Sequence, residues 1–149
     1  MNAFVAAGAG FLLAVLWFDL MFDVQLLGHG TREPVETVVA SIAGYYARVT
    51  TAARPMNRLV AAAMLGTLAA VVVQLARGEG HAWVSWASLA LLLGAVGLAG
   101  TRTVPQAVRL GARSDDATRQ HALARAILRE HLACFAAIVL LLGLQLGFA

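Results

Sequence analysis

Charged side chains are scarce in this sequence of 149 residues: Asp, Glu, Lys and Arg make up 13% of it, and lysine is absent. Soluble domains carry about 25% charged residues, so this shortage argues against a soluble protein. The net charge is only +3, from a slight excess of arginine over acidic residues. Such a balance excludes the strongly basic surface that nucleic acid requires, and we expect no nucleic-acid partner.

Cysteine is also scarce, whereas apolar residues are abundant. Cys134 is the one cysteine, which rules out a disulfide within the chain and favours a packing role over a reactive thiol. The sequence is 60% hydrophobic, with a mean hydropathy of +0.77. Four stretches are long and apolar enough to cross a bilayer as helices, and they leave no room for a second domain. They are residues 3–27, 57–76, 82–100 and 130–148.

The segments between the spans also have helical patterns. Residues 34–53 place Val39, Ile42 and Tyr46 at helical spacing, which predicts an amphipathic helix at the interface or folded over the mouth of the bundle. Residues 114–116 suit the N-cap of a helix over residues 115–129 that merges into the fourth span. The predicted fold is all-α. It is a single-domain integral membrane four-helix bundle with an amphipathic interfacial helix between spans one and two and a long fourth helix.

The distribution of arginine sets the expected orientation. The connections after spans one and three, with the adjoining span ends, hold ten of the eleven arginines, and Arg77 alone lies on the other side. By the positive-inside rule, both large loops are cytoplasmic and both termini lie outside. We expect a multi-pass protein of a bacterial cytoplasmic (inner) membrane.

Two acidic residues interrupt the first span before its apolar character ends. Asp19 and Asp23 are four residues apart, so they share one helix face. Carboxylates near hydrocarbon cost several kcal/mol unless they are paired. Glu130 and His131 enter the fourth span at the same end of an antiparallel bundle. Further polar residues are predicted at this level: Arg54, Asn57, Arg102, Gln106 and Arg129.

Three interpretations of this polar level remain open. In the first, Asp19 and Asp23 pair with Arg54, Arg102 or Arg129 and fix the packing of the helices. In the second, the level is a pocket for a small molecule, and histidine is the natural proton-transfer group because its ordinary pKa is about 6.5. The catalytic candidates are Asp19, Asp23, Glu130 and His131. The candidate substrate-binding residues are Arg54, Asn57, Arg102, Gln106, Arg129 and Tyr45.

The third interpretation is a metal site at Asp19, Asp23, Glu130 and His131. Its support is weak, because Glu130 and His131 are adjacent and therefore point about 100° apart around a helix. The repeated Glu-x-x-His motif of di-iron helix bundles is absent. No metal ligand is assigned, and no cofactor is favoured.

Three short polar stretches resemble those of a known family. They are residues 54–57 at the start of span two, residues 102–106 at the end of span three, and residues 129–131 at the start of span four. Their order and the layout of the spans are similar to the anthrone-oxygenase-like family of small four-span bacterial membrane proteins. The resemblance implies a cofactor-independent oxygenase that acts on a polycyclic phenolic substrate. Arg102 and Gln106 stand where that family has asparagine.

We therefore expect an integral membrane protein that binds or oxidises a lipophilic aromatic or quinone-like molecule at the loop-side end of the bundle. One alternative is a non-catalytic accessory or structural subunit whose Asp/Arg cluster locks the bundle. A second is a small dimeric proton-coupled transporter with Asp19 or Asp23 as its proton site. The expected partners are the lipid bilayer, the small molecule, and either a second copy or a partner membrane subunit.

Overall fold

The computed structural model describes residues 2–29 and 36–148, and this part of the chain is helical almost throughout. Residues 34 and 35, at the start of the predicted amphipathic helix, lie outside the described residues. The helices are α1 (Asn2–Asp23), α2 (Glu36–Tyr46), α3 (Arg54–Ala76), α4 (Ala82–Leu98), α5 (Val104–Ala112) and α6 (Ala117–Phe148). A 3-10 turn, Val24–His29, follows α1; π-helical turns, Ala47–Ala52 and Ala99–Thr103, follow α2 and α4.

Four helical segments are long and apolar enough to cross a membrane: Asn2–Gly28, Pro55–Ala76, Ala82–Ala112 and Ala117–Phe148. They form a closed ring in which α1 packs against α3 and α6, and α4 packs against the same two helices. The prediction of an all-α membrane bundle is confirmed. The end of the bundle that carries α2, α5 and the start of α6 is called the loop side below.

The third span is longer than the sequence suggested, because the helix does not stop near residue 100. It continues through the π-helical turn into α5, which begins with Pro105 in its first turn. Proline lacks a backbone N–H, and the first turn of a helix is where that donor is not needed. The chain then turns at Arg113, whose φ of 53° lies in the left-handed region. Asp116 Oδ1 accepts the backbone N–H of Arg119 at 2.8 Å, which caps α6.

The buried apolar side chains form two layers. One layer lies among the four spans and includes Val5, Val71, Leu92 and Ile138. The second lies at the loop side, where α2 and α5 cover the ends of α1 and α6; it includes Val39, Ile42, Leu110 and Ile127. The amphipathic helix α2 is thus folded over the bundle, and its apolar stripe packs onto protein.

Two glycines allow close contacts that hold these layers together. A Cβ added to Gly8 would overlap the Thr67 side chain, so α1 and α3 are in close contact there. A Cβ added to Gly111 would lie 2.8 Å from the backbone nitrogen of Ala47, where α5 meets the turn after α2. Small residues permit such close backbone approach between helices.

Candidate functional site

The loop-side layer brings Asp19 and Asp23 of α1 against His131 of α6. The helix spacing puts both carboxylates on one face, and α2 supplies the side chains that cover them. Asp23 is fully buried, and His131 is nearly so. We call Asp19, Asp23, Tyr45, Tyr46 and His131 the Asp–Tyr–His network.

Asp23 accepts two hydrogen bonds inside the protein. The Tyr46 hydroxyl donates to Oδ1 at 2.7 Å, and His131 Nδ1 lies 2.7 Å from Oδ2. Because a carboxylate only accepts, Nδ1 is the protonated nitrogen of the imidazole. The Tyr46 hydroxyl and His131 Nδ1 are 3.3 Å apart, as expected for two donors that converge on one carboxylate. The helices α2 and α6 therefore each contribute one side chain that contacts Asp23 of α1.

Asp19 lies on the more open side of the network. Tyr45 donates its hydroxyl to Asp19 Oδ1 at 2.7 Å, and the Tyr45 ring stacks on Phe22 with centroids 4.0 Å apart. His131 Nε2 is 3.9 Å from Asp19 Oδ2, within ion-pair distance when the imidazole is protonated. The imidazole is thus held between the two carboxylates, and a proton on Nε2 faces another side chain of the network.

The two tyrosines are held in their neutral form. Burial raises the pKa of Tyr45, and the charge of Asp19 adds to the shift. Burial likewise raises the pKa of Tyr46, with the charge of Asp23 as the next cause. A phenolate next to a carboxylate in a poorly solvated site is unfavourable for both groups. Both hydroxyls therefore act as donors at every pH near neutrality.

These shifts predict how the protein behaves at high pH. Tyrosine in an unfolded chain titrates at about pH 10. The pKa of each tyrosine is higher in the folded protein than in the unfolded chain. Its contribution to the free energy of unfolding is therefore fully present below about pH 10 and is lost as the pH rises towards the pKa of the folded protein. The sequence has two tyrosines, so an ultraviolet titration of tyrosinate reports on these residues. We expect no tyrosinate in folded protein at about pH 11, and its appearance together with unfolding. Titration of both near pH 10 in a folded protein would contradict the network.

A second polar cluster surrounds Glu130. Thr103 donates its hydroxyl to Oε2 at 2.8 Å, Gln106 donates its amide to Oε1 at 3.2 Å, and Arg102 Nε lies 3.2 Å from Oε1. Glu130 adjoins His131 in sequence, but the helix turns its side chain towards the end of α4 and the start of α5. The two predicted acid–base residues therefore belong to different clusters.

The Glu130 cluster predicts unequal effects of two substitutions. Thr103→Val removes a buried donor and leaves Oε2 unpaired, which we expect to lower the free energy of unfolding by about 1–3 kcal/mol. Arg102→Gln removes a partner whose side chain is 65% exposed, and we expect a loss below about 1 kcal/mol. Unfolding by sodium dodecyl sulfate in mixed micelles measures both. A larger loss for Arg102→Gln than for Thr103→Val would show that Arg102, and not Thr103, is the main stabilising partner of Glu130.

The predicted Asp–Arg pairs are wrong for every arginine whose side chain is described. Arg102 pairs with Glu130, and Arg129 is exposed. The side chain of Arg54 lies outside the described part of the structure. Asn57 is exposed and donates to the backbone oxygen of Thr50 at 3.1 Å. The partners of Asp19 and Asp23 are the tyrosines and His131.

The described cavities do not lie at the network. One, of about 310 Å³, lies between α5 and α6 and touches Gln106 and Arg109. The other, of about 480 Å³, lies between α1 and α3 beside Gly8 and Thr67. Neither is lined by Asp19, Asp23, Tyr45, Tyr46 or His131. The predicted substrate residues therefore do not converge on a described cavity.

The metal interpretation gains no geometric support. Within residues 2–29 and 36–148, no three His, Cys, Asp or Glu side chains are placed to hold one metal ion. Glu130 is the reason that the predicted four-ligand set fails, because its carboxylate is turned to Thr103 and Gln106.

The layout of the whole chain matches one known family. Residues 1–148 match the model of the SHR3 chaperone family, described as "ER membrane protein SH3". The chain belongs to this family. No curated protein and no solved structure matches it.

Membership of the SHR3 family corrects two expectations. The resemblance to anthrone oxygenases is wrong, because it rested on three short stretches whereas the SHR3 match covers residues 1–148. The expected bacterial inner membrane also lacks support, because the SHR3 family is described as an ER membrane protein. That the protein is a multi-pass membrane protein stands.

Sequence reasoning missed two residues that complete the SHR3-family chain's polar clusters. The sequence places Tyr46 on the apolar stripe of the amphipathic helix but does not predict its carboxylate partner, and no role is predicted for Thr103. Tyr46 follows Val39 and Ile42 at the spacing of one buried helix face, and a buried phenol needs an acceptor. The acidic residues of the first span were the unpaired acceptors, so the sequence did contain the signal for this contact.

Proposed function

We propose that this protein is a non-catalytic accessory protein of the membrane, a chaperone-type protein that acts on other membrane proteins. In this account the Asp–Tyr–His network locks α2 onto the bundle. The observation that carries the proposal is the closure of the network. Both carboxylates bond to side chains of the same protein, and the two described cavities lie elsewhere. An enzyme site needs a place for the reacting atoms beside the acid–base groups.

The family description supports the same conclusion. The SHR3 family is named as a chaperone and as an ER membrane protein, and the match extends over residues 1–148. We therefore propose that the protein resides in the ER membrane. Ten of the eleven arginines belong in sequence to the connections after spans one and three and the adjoining span ends. By the positive-inside rule we propose that α2 and α5 lie on the cytoplasmic face, and that the start of α1 and the end of α6 face the lumen. Its partners would be other multi-span proteins of that membrane.

The oxidising or ligand-binding function is the weaker candidate. It needs Asp19, Asp23 and His131 to face a bound molecule, whereas His131 Nδ1 and Nε2 face Asp23 and Asp19. A proton-coupled transporter would place its acid near the bilayer midplane. At 1.5 Å per residue, His131 lies about 26 Å along α6 from Phe148, close to the loop-side edge of a hydrocarbon core about 30 Å thick.

A depletion experiment tests the proposal. The protein is removed from the cells that produce it, and membrane proteomics with native gels records which multi-span proteins become scarce or aggregate. We expect a defined set of such proteins to be lost and to be restored by the wild-type chain. Arg77→Gln, at the far end of the bundle, should restore them equally.

The same experiment separates the two candidate functions. If no multi-span protein changes while a lipophilic aromatic metabolite accumulates, the accessory role is wrong and the enzyme role is favoured. Restoration by a variant that lacks both network carboxylates, Asp19→Asn with Asp23→Asn, would show that the network is not needed to hold the active form.

A further inference from the structure

The arginines and the acidic residues at the loop-side edge of the spans face opposite ways. Arg58, Arg102 and Arg129 are exposed on three different spans. The acids of the same level are inside: the Asp23 side chain is 0% exposed, that of Glu130 is 9% exposed, and that of Asp19 is 15% exposed. The outer surface of the bundle at this level therefore carries positive charge. We call Arg58, Arg102 and Arg129 the arginine girdle.

The three arginines of the girdle lie at one depth. At 1.5 Å rise per residue, Arg58 lies about 27 Å, Arg102 about 30 Å and Arg129 about 28 Å from the far ends of their helices. The exposed Trp83 and Trp86 mark the far boundary, as interfacial tryptophans do. A hydrocarbon core is about 30 Å thick, so the girdle lies where hydrocarbon gives way to phosphate.

The arginines of the girdle have few ion-pair partners within the described part of the protein. Arg58 and Arg129 form no ion pair within 4.0 Å among the residues that the structure describes. Arg102 contacts Glu130 through Nε, and its side chain is 65% exposed. Each guanidinium carries five donors in a plane, a geometry suited to phosphate oxygens. Long arginine side chains at this depth extend towards the headgroups.

We propose that the arginine girdle binds the phosphate groups of anionic phospholipids in the loop-side leaflet. The positive surface, its depth and the guanidinium groups of Arg58 and Arg129, which form no ion pair within the described residues, favour this occupant. A basic residue near an anionic leaflet contributes about a fivefold preference for that surface. The girdle would thus surround the bundle with anionic lipids on one leaflet only, since the far end presents Arg77 beside Glu79.

Spin-labelled lipids test the proposal in a reconstituted bilayer. The full chain is placed in phosphatidylcholine membranes, and electron paramagnetic resonance measures how strongly labelled phosphatidylserine and labelled phosphatidylcholine associate with its surface. We expect wild type to prefer phosphatidylserine, and each of Arg58→Gln and Arg129→Gln to lower the preference about fivefold at its site. High salt should weaken the preference, because it screens exposed charges.

Arg77→Gln is the matched control, since it removes the same charge from the other side. An equal loss in Arg77→Gln, or an unchanged preference in the double variant Arg58→Gln with Arg129→Gln, would overturn the proposal. Absence of any preference in wild type would also overturn it and would favour an acidic partner protein on the girdle. The tyrosinate titration of each variant shows that the network is intact, so a lost preference is not a loss of fold.

Discussion

Asp23→Ala is expected to lower the free energy of unfolding by about 3–5 kcal/mol, the largest effect of any single substitution in the network. Asp23 is fully buried and accepts hydrogen bonds from Tyr46 and His131. Its removal leaves both donors in a site that water does not reach, and each unpaired buried donor costs about 1–3 kcal/mol. Unfolding in mixed micelles measures the loss.

The controls separate burial from charge. Glu36, at the start of α2, also forms an ion pair, with Arg113, but its side chain is 61% exposed. We expect Glu36→Gln to cost less than about 1 kcal/mol. Tyr46→Phe should cost about 1–3 kcal/mol in wild type and much less in Asp23→Ala, because the two changes remove one hydrogen bond. If Asp23→Ala is no worse than Glu36→Gln, the network does not stabilise the fold.

Gly111→Ala is expected to lower the free energy of unfolding by about 1–3 kcal/mol or more, as overpacking does. The added Cβ would lie 2.8 Å from the backbone nitrogen and 3.0 Å from the Cα of Ala47. Backbone atoms cannot move aside as a flexible side chain can. Relief of the clash requires α5 to separate from the turn after α2, which also displaces Tyr46.

Gly97→Ala is the matched control for this prediction. It makes the same change within the same span, but nothing lies within 4 Å of the added Cβ. We expect no loss there, since alanine favours a helix over glycine by up to about 1 kcal/mol. Equal unfolding curves for the two variants would show that α5 and the turn after α2 are not in close contact.

The spans and the meeting of Asp19 with His131 were predictable because each follows from a simple rule. A long uninterrupted apolar run predicts a membrane span. Residues four positions apart lie on one face of a helix. Because the first and fourth spans are antiparallel, the end of the first lies beside the start of the fourth. The same rules did not specify the ends of the helices. The third span was predicted to end at residue 100, whereas the helix continues and has Pro105 in the first turn of α5.

The partners of the acids were not predictable from charge alone. Arginine has a long side chain that reaches the headgroups from the edge of a span, whereas aspartate is short and must be satisfied where its Cα lies. Arg58 and Arg129 are exposed, whereas Asp19 and Asp23 are satisfied inside the protein by the two tyrosines of α2 and by His131 of α6. Whether α2 lies on the interface or over the bundle depends on contacts such as Gly111 with Ala47, which appear only when the helices are packed.

The family was missed for a related reason. The stretches 54–57, 102–106 and 129–131 are short and polar. Polar residues are favoured at the ends of any membrane span, because these ends lie at the membrane–water interface, so such stretches do not identify a family. The match to the SHR3 family, in contrast, extends over residues 1–148.

Hydrogen exchange of α2 tests most directly whether the network locks this helix onto the bundle. Mass spectrometry follows the backbone amides of residues 36–46 in wild type and in Asp19→Asn with Asp23→Asn. We expect the α2 amides to be protected in wild type and to exchange at least tenfold faster in the variant, while the exchange of the α3 amides stays unchanged. The tenfold figure follows because a loss of about 1.4 kcal/mol in stability changes the opening equilibrium tenfold. Equal exchange of α2 in both proteins would contradict the account.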